Sequence, residues 1–129
     1  MDMDIATVND ELARLLVAAG YINVYAFRPV QTLSPPCIYV DWPMNIELNR
    51  TFAGMSEADF PIIFVGPSES GIDSRNFISD IIKDAGAVKA AINQSTILKV
   101  LINNPAVVDI PGENNSSFIG VKFIAHVRY

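Results

Sequence analysis

The stretch ADFPIIFVG, residues 58–66, is apolar on both sides of an extended chain. Phe60, Ile62 and Phe64 fall on one face, and Ile63 and Val65 on the other. A strand of this kind has to be covered twice, so it belongs inside a sheet with material packed above and below. Pro61 has no N–H to give to a ladder, so pairing should be incomplete toward the start of the strand.

The other strands are legible too. FIGVKFIAHVRY, the last twelve residues, reads as a strong final strand. Val121, Phe123, Ala125, Val127 and Tyr129 form an inward face, while Lys122, His126 and Arg128 point the other way. YINVYAF and CIYVDW are β-branched and aromatic and read as strands. The stretch between them, RPVQTLSPP, holds three prolines and must be a loop. After Pro43, MNIELNR alternates well enough for a third, more exposed strand, which makes ADFPIIFVG the fourth.

Two segments carry the helical period instead. In DIATVNDELARLLVAAG, the residues Ile5, Val8, Leu12, Leu15, Leu16 and Ala19 recur at three- and four-residue steps. Asp4 or Thr7 can cap the start, and Gly20 supplies a left-handed residue to end it. DSRNFISDIIKDAG predicts a second helix, with Asp73 or Ser74 as cap and Phe77, Ile78, Ile81, Ile82 and Ala85 as its buried stripe. Gly86 breaks or ends it, and AVKAAINQ follows as a short third helix. In STILKVLINNPAVVDI the β-branched content favours strand, although Leu98–Ile102 could continue a helix, and Pro105 divides the stretch into two pieces. PGENNSS is a turn cluster. The order α-β-β-β-β-α-α-β-β implies a single α+β domain over 1–129, with a mainly antiparallel sheet and helices packed on one face.

Composition excludes several functions. Nine basic and fourteen acidic residues give a formal charge of −5, with no run of three cations. A surface built to grip nucleic acid would cluster its Lys and Arg. No apolar run approaches the roughly 20 residues needed to span a bilayer. The acidic start MDMDIATVNDE lacks the basic region of a signal peptide, so the expectation is a protein that remains in the cytoplasm where it is made.

Catalytic constellations are missing. The seven glycines are dispersed and form neither GxGxxG nor GxxxxGK[ST]. One His and one Cys cannot make a zinc site. The serines of GPSESG lack the GxSxG pattern. Cys37 reads as a buried small apolar side chain and His126 as a strand residue on a half-exposed face. Glu57 and Asp59 read as solvated loop acids rather than an acid–base pair. Arg50 is either a solvated charge or an anchor for an acidic partner. The chain is therefore expected to be an interaction protein with no enzymatic activity and no cofactor or metal.

Along nearly its whole length the sequence resembles the tail terminator (tail completion) proteins of long-tailed phages, especially phages of actinobacteria. The likeness is carried by NDELARLLVAAGYINVYAF, SPPCIYVDWP, NRTFAGMSEADFPIIFVG, DSRNFISDIIKDAGAVKAAI and a final hairpin. RTFAGMSEADFPIIFVG is its most specific piece. The chain departs from the family in being Asn-rich near its end, in INNP and GENNSS.

The resemblance implies a structural virion protein. It would form a homohexameric ring on the head-proximal end of the tail tube, stop tube growth, and join the tube to the neck and its head-completion proteins. DNA would pass through the lumen without specific binding, and an acidic or neutral lining would let it slide. The family context makes the segment from Arg50 to Glu57 a candidate arm. Arg50, Thr51, Phe52, Met55 and Glu57 are the candidate subunit-interface residues, with Phe52 and Met55 either filling a neighbour's pocket or folding back onto their own subunit. The alternatives are another phage neck or head–tail connector protein, or a small α+β ligand-binding domain or enzyme with loop 51–57 as its lid.

Overall fold

A computed structural model describes residues 4–29, 36–48, 55–66, 72–111 and 117–129. The elements are α1 (Ile5–Ala18), β1 (Val24–Tyr25), β2 (Cys37–Val40), β3 (Met44–Glu47), β4 (Glu57–Val65), α2 (Ile72–Lys83), α3 (Ala85–Ile92), β5 (Lys99–Ile102), β6 (Ala106–Pro111) and β7 (Ser117–Arg128). The fold is α+β and helices and strands follow in the expected order, with three strands rather than two after the last helix. Residues 95–110 contain two strands, β5 and β6, with the turn at Asn103–Pro105 between them. The PGENNSS turn lies largely outside the described residues.

The described strands form one seven-stranded mixed sheet, mostly antiparallel. β4 and β7 are its centre, in register from Glu57 opposite Arg128 to Val65 opposite Gly120. On its other side β4 holds two partners end to end: β2 pairs with Ile62–Val65, and β3 with Glu57 and Asp59. Likewise β7 pairs with β6 near its start and β5 near its end. Pro61 falls in the gap between β2 and β3. Its carbonyl still accepts from the Asp41 N–H at 2.8 Å. The N–H that proline lacks would have pointed the same way, into the break, so the ladder to β7 loses nothing.

α1 follows its sequence signals closely. The Asp4 carboxylate accepts from the Thr7 N–H at 2.7 Å, so Asp4 is the cap. Gly20 takes φ +100°, and the N–H groups of Tyr21 and Gly20 reach back to the carbonyls of Leu16 and Val17. That is a Schellman ending, which needs a left-handed residue there. Val8, Leu12, Leu15 and Leu16 are buried, whereas Ala19 is exposed.

Four expectations need correction. YINVYAF yields only Val24–Tyr25 as strand, because Asn23 adopts φ +59° and ends the extended run on that side. α2 already includes Asp73 and Ser74, so neither caps it. The break between α2 and α3 comes at Asp84, and Gly86 sits inside the first turn of α3. The stripe on α2 is also looser than expected: Phe77, Ile78, Ile81 and Ala85 are half-buried, and Ile82 is exposed.

The helices cover one face of the sheet. Val8, Leu12 and Leu16 of α1 and Val88 and Ile92 of α3 pack with Phe60, Ile62, Phe64, Val121, Phe123 and Ala125. Asn9, fully buried, pins α1 to the sheet: its Nδ2 donates to the carbonyls of Ala26, Val40 and Asp41 at 2.8, 3.1 and 3.2 Å. On the second face, Cys37, Tyr39, Ile63 and Val65 form a smaller core with Ile110. Ile110 belongs to β6, two strands away from β4, so the β6–β7 hairpin bends over that face. The Arg28 guanidinium fixes this bend by donating to the Pro111 carbonyl at 2.9 Å. The double covering that residues 58–66 demand is thereby met by helices on one side and a hairpin on the other.

Candidate functional site

Of the five candidate interface residues, Arg50, Thr51 and Phe52 lie outside the described residues. Met55 is half-buried. Glu57 is not part of a loop but the first residue of β4. The ladder continues one step further, with Ser56 and Tyr129 exchanging backbone hydrogen bonds at 2.8 and 2.9 Å. The segment between β3 and the ladder therefore ends at Met55.

Glu57 and Asp59 are consequently not solvated loop acids. Strand alternation places both on the second face of the sheet, opposite Arg128 and His126. Arg128 Nε donates to Glu57 Oε1 at 2.8 Å, and His126 Nε2 lies 3.6 Å from Glu57 Oε2. His126 Nδ1 is 2.7 Å from Asp59 Oδ1. Asn45 donates to the other Asp59 oxygen at 3.0 Å, from a bulge in β3 where its own φ is +55°. Burial pushes the Asp59 carboxyl up, but the hydrogen bonds from Asn45 and His126 and the nearby imidazole outweigh it, leaving Asp59 below its ordinary value. The sequence concealed this network because Glu and Asp are poor strand residues and read as loop. Among the described residues, no group of three or more His, Cys, Asp or Glu side chains is placed to hold a metal ion.

Beside this network runs an exposed apolar stretch. Trp42, Met44, Ile46 and Leu48 are 61%, 42%, 44% and 72% exposed. They lead directly into residues 49–54. Trp42 is steadied by the Phe27 ring, with centroids 4.9 Å apart. Leu101, on the opposite edge of the same face, is also exposed. The alternation in MNIELNR announces a half-exposed strand, but nothing in it announces that both sides would stay open.

Two of the cavities among the described residues lie elsewhere. One of about 170 Å³ opens between α2 and the β2 end of the sheet and is lined by Tyr21, Ile38, Phe64, Phe77 and Ile81 among others. Its walls are almost wholly apolar. The second, of about 210 Å³, lies under the bent hairpin and brings together Arg28, Tyr39, Asp41, Asp109 and Lys122. Cys37 lines the first cavity but is buried, and burial raises its thiol above the usual value. It is therefore a poor nucleophile, in keeping with a packing role.

No protein-family model and no curated protein matches this chain. Among the described residues, no helix is long and apolar enough to cross a membrane.

Proposed function

We propose that the chain is a structural virion protein: a ring-forming tail terminator that caps the head-proximal end of a phage tail tube, stops its growth and joins it to the neck. The observation that carries this reading is the exposed apolar run Trp42, Met44, Ile46 and Leu48, in the strand that feeds the candidate arm. A run of exposed apolar side chains along one edge strand is a candidate contact with another macromolecule. Its neighbourhood is charged but already engaged, since Glu57, Asp59, His126 and Arg128 satisfy one another. The likeness of RTFAGMSEADFPIIFVG to the terminator family supplies the role, and the ring is homohexameric on that likeness. Its partners are further copies of itself, the tube protein and a neck protein, with DNA passing through the lumen.

Sedimentation velocity and native mass spectrometry of the purified chain, alone and with polymerised tube protein, test the reading. Closed oligomers, or binding confined to one end of the tube, are expected. A chain that stays monomeric and leaves tube ends uncapped at high concentration overturns it.

The lid reading of loop 51–57 fares worse on one observation. The flanks of that loop are at the Glu57 end of β4, whereas the apolar cavity is lined from its Phe64 end. About 25 Å of strand separates the two.

A further inference from the structure

The cavity under the bent hairpin gathers charges that do not meet. Tyr39, Ile63 and Lys122 stand opposite one another across β2, β4 and β7, so all three project from the second face. The Arg28 guanidinium reaches over the Tyr39 ring, 5.8 Å from its centroid, and is held there by its bond to the Pro111 carbonyl. That bond leaves its other N–H groups available to a ligand. Among the described residues, no carboxylate forms an ion pair with Arg28 or Lys122. Lys122 is half-buried and makes no hydrogen bond there either.

Tyr39 is the decisive member. It is 1% exposed, yet its hydroxyl has no hydrogen-bond partner among the described residues. Buried polar groups are nearly always paired, so one left alone calls for a reason. Among the described residues, the fully enclosed polar side-chain atom without a partner is Asn9 Oδ1. The Tyr39 hydroxyl is therefore reachable, and this cavity is what reaches it. Burial pushes the phenol above its ordinary value, so it keeps a proton to donate. The acids nearby do not answer these donors. Asp41 Oδ1 accepts from the Trp42 N–H at 2.8 Å. Asp109 stands between Val108 and Ile110 in β6, so alternation turns it away from the face that those two present. Two cations and a phenol thus confront Asp41 alone, a surplus of positive charge. Ile63, Val108 and Ile110 supply apolar walls.

We propose that this cavity binds a small monocarboxylate, with the carboxylate on Arg28, Lys122 and the Tyr39 hydroxyl and a short aliphatic body against Ile63 and Ile110. A carboxylate matches the planar fork of a guanidinium. A single negative charge also balances the surplus, whereas a phosphate dianion would set an unmatched charge near Asp41. The volume of about 210 Å³ limits the size of the body. It falls below the ~300–1,000 Å³ of sites for drug-sized ligands. The contacts that hold Arg28 over the Tyr39 ring exist before any ligand arrives, so little ordering is left for binding to offset. None of these residues belongs to β3 or to the segment after it, so the site exists whether or not copies of the chain assemble.

The full-length chain is titrated with sodium isovalerate and followed by amide NMR, at an ionic strength held constant with sodium chloride. Isoamylamine and inorganic phosphate are the comparison probes. Isovalerate should give saturable shifts at the amides around Tyr39, Val108 and Lys122, and should bind about tenfold or more tightly than either comparison probe. Tyr39→Phe and Lys122→Met should each weaken it about tenfold, the factor for one hydrogen bond to a charged group. Lys122→Arg should keep most of the affinity. Tyr39→Phe should also leave the urea midpoint at or above the parent value, because the hydroxyl has no partner to lose. A lowered midpoint would mean that the hydroxyl is already engaged and would remove it from the site. The probe comparison on the parent chain decides by itself if a variant misfolds. Isovalerate that shifts no resonances, or that binds no better than phosphate or the amine, overturns the site. So does binding that survives both Tyr39→Phe and Lys122→Met unchanged.

Discussion

Ile110 occupies the space in which a side chain at Gly120 would begin. A Cβ built on Gly120 collides with Ile110 Cδ1 and with the carbonyl oxygen of Phe64. The side chain of Ile110 can shift, but the Phe64 carbonyl belongs to the central strand and cannot. Gly120→Ala is therefore expected to destabilise the fold by about 1–3 kcal/mol, the usual range for overpacking. That loss outweighs the roughly 0.5–1 kcal/mol which replacing a strand glycine returns through chain entropy. Urea denaturation of parent and variant checks it. Trimming Ile110 to Val should rescue little, because the backbone collision persists. Equal midpoints for Gly120→Ala and the parent would contradict the close approach of the Phe64 carbonyl to Gly120.

Leu12 and Ile81 both lie on helix stripes, but the structure separates them. Leu12 is fully buried between α1 and the sheet. Leu12→Ala should cost about 2–5 kcal/mol, combining lost transfer energy with the cavity left behind. Ile81 is half-buried and lines an open apolar cavity. Part of its surface is already wet, so Ile81→Ala should cost only about 1–2 kcal/mol. Thermal or urea melts of the two variants should rank them in that order, and the reverse ranking would mean that α2 docks more tightly than described here.

Acid should loosen the fold through two carboxylates. Glu11 is buried; hydrogen bonding to the Arg14 guanidinium holds its carboxyl below the ordinary value against the opposing effect of burial, with help from Ser95 Oγ at 3.0 Å. Asp59 is lowered as well. A carboxyl whose folded value lies below its unfolded one stabilises the fold above the unfolded value, about 3.9 for Asp and 4.3 for Glu. That contribution is lost as pH falls through the folded value. The urea midpoint should stay level in this respect from pH 7 to about 5 and fall below about pH 4. Glu11→Gln should flatten the fall, and an unchanged slope in this variant would show that Glu11 does not titrate with folding.

The parts of the fold that were legible in the sequence are those where one physical signal dominates. The two-sided apolar run at Phe60–Val65 and the alternation of Val121–Tyr129 each allow a single placement in a sheet, and they became its two central strands. Asp4 and Gly20 bracket α1 because capping chemistry is local. What escaped was decided by partners far away in the chain. Glu57 and Asp59 read as loop until Arg128 and His126, 71 and 67 residues on, turned them into a strand network. Nothing in the helical pattern singled out Glu11, which ties α1 to Ser95, whose hydroxyl also receives the Leu98 N–H at 3.0 Å as the chain enters β5. The row that sets Tyr39 and Lys122 on either side of Ile63 exists only in the register of three strands, which no local pattern encodes.

The arm provides the remaining prediction, in which Met55 and Phe52 are taken in turn. Met55 is half-buried next to the rung formed by Ser56 and Tyr129. Met55→Ser should therefore lower the melting temperature of the isolated chain, because apolar surface already in place is lost. Phe52 lies outside the described residues, and its role in the ring reading is to enter a neighbour's surface. An aromatic side chain buried at an interface is the kind of residue whose truncation costs the most in binding, about 2 kcal/mol or more. Phe52→Ser should accordingly leave the melting temperature of the monomer at the parent value while weakening self-association roughly thirtyfold or more, the factor corresponding to that energy. Melts at low protein concentration read the first effect, and sedimentation equilibrium or native mass spectrometry reads the second. A Phe52→Ser chain that melts early and associates normally would show that Phe52 belongs to its own subunit's core.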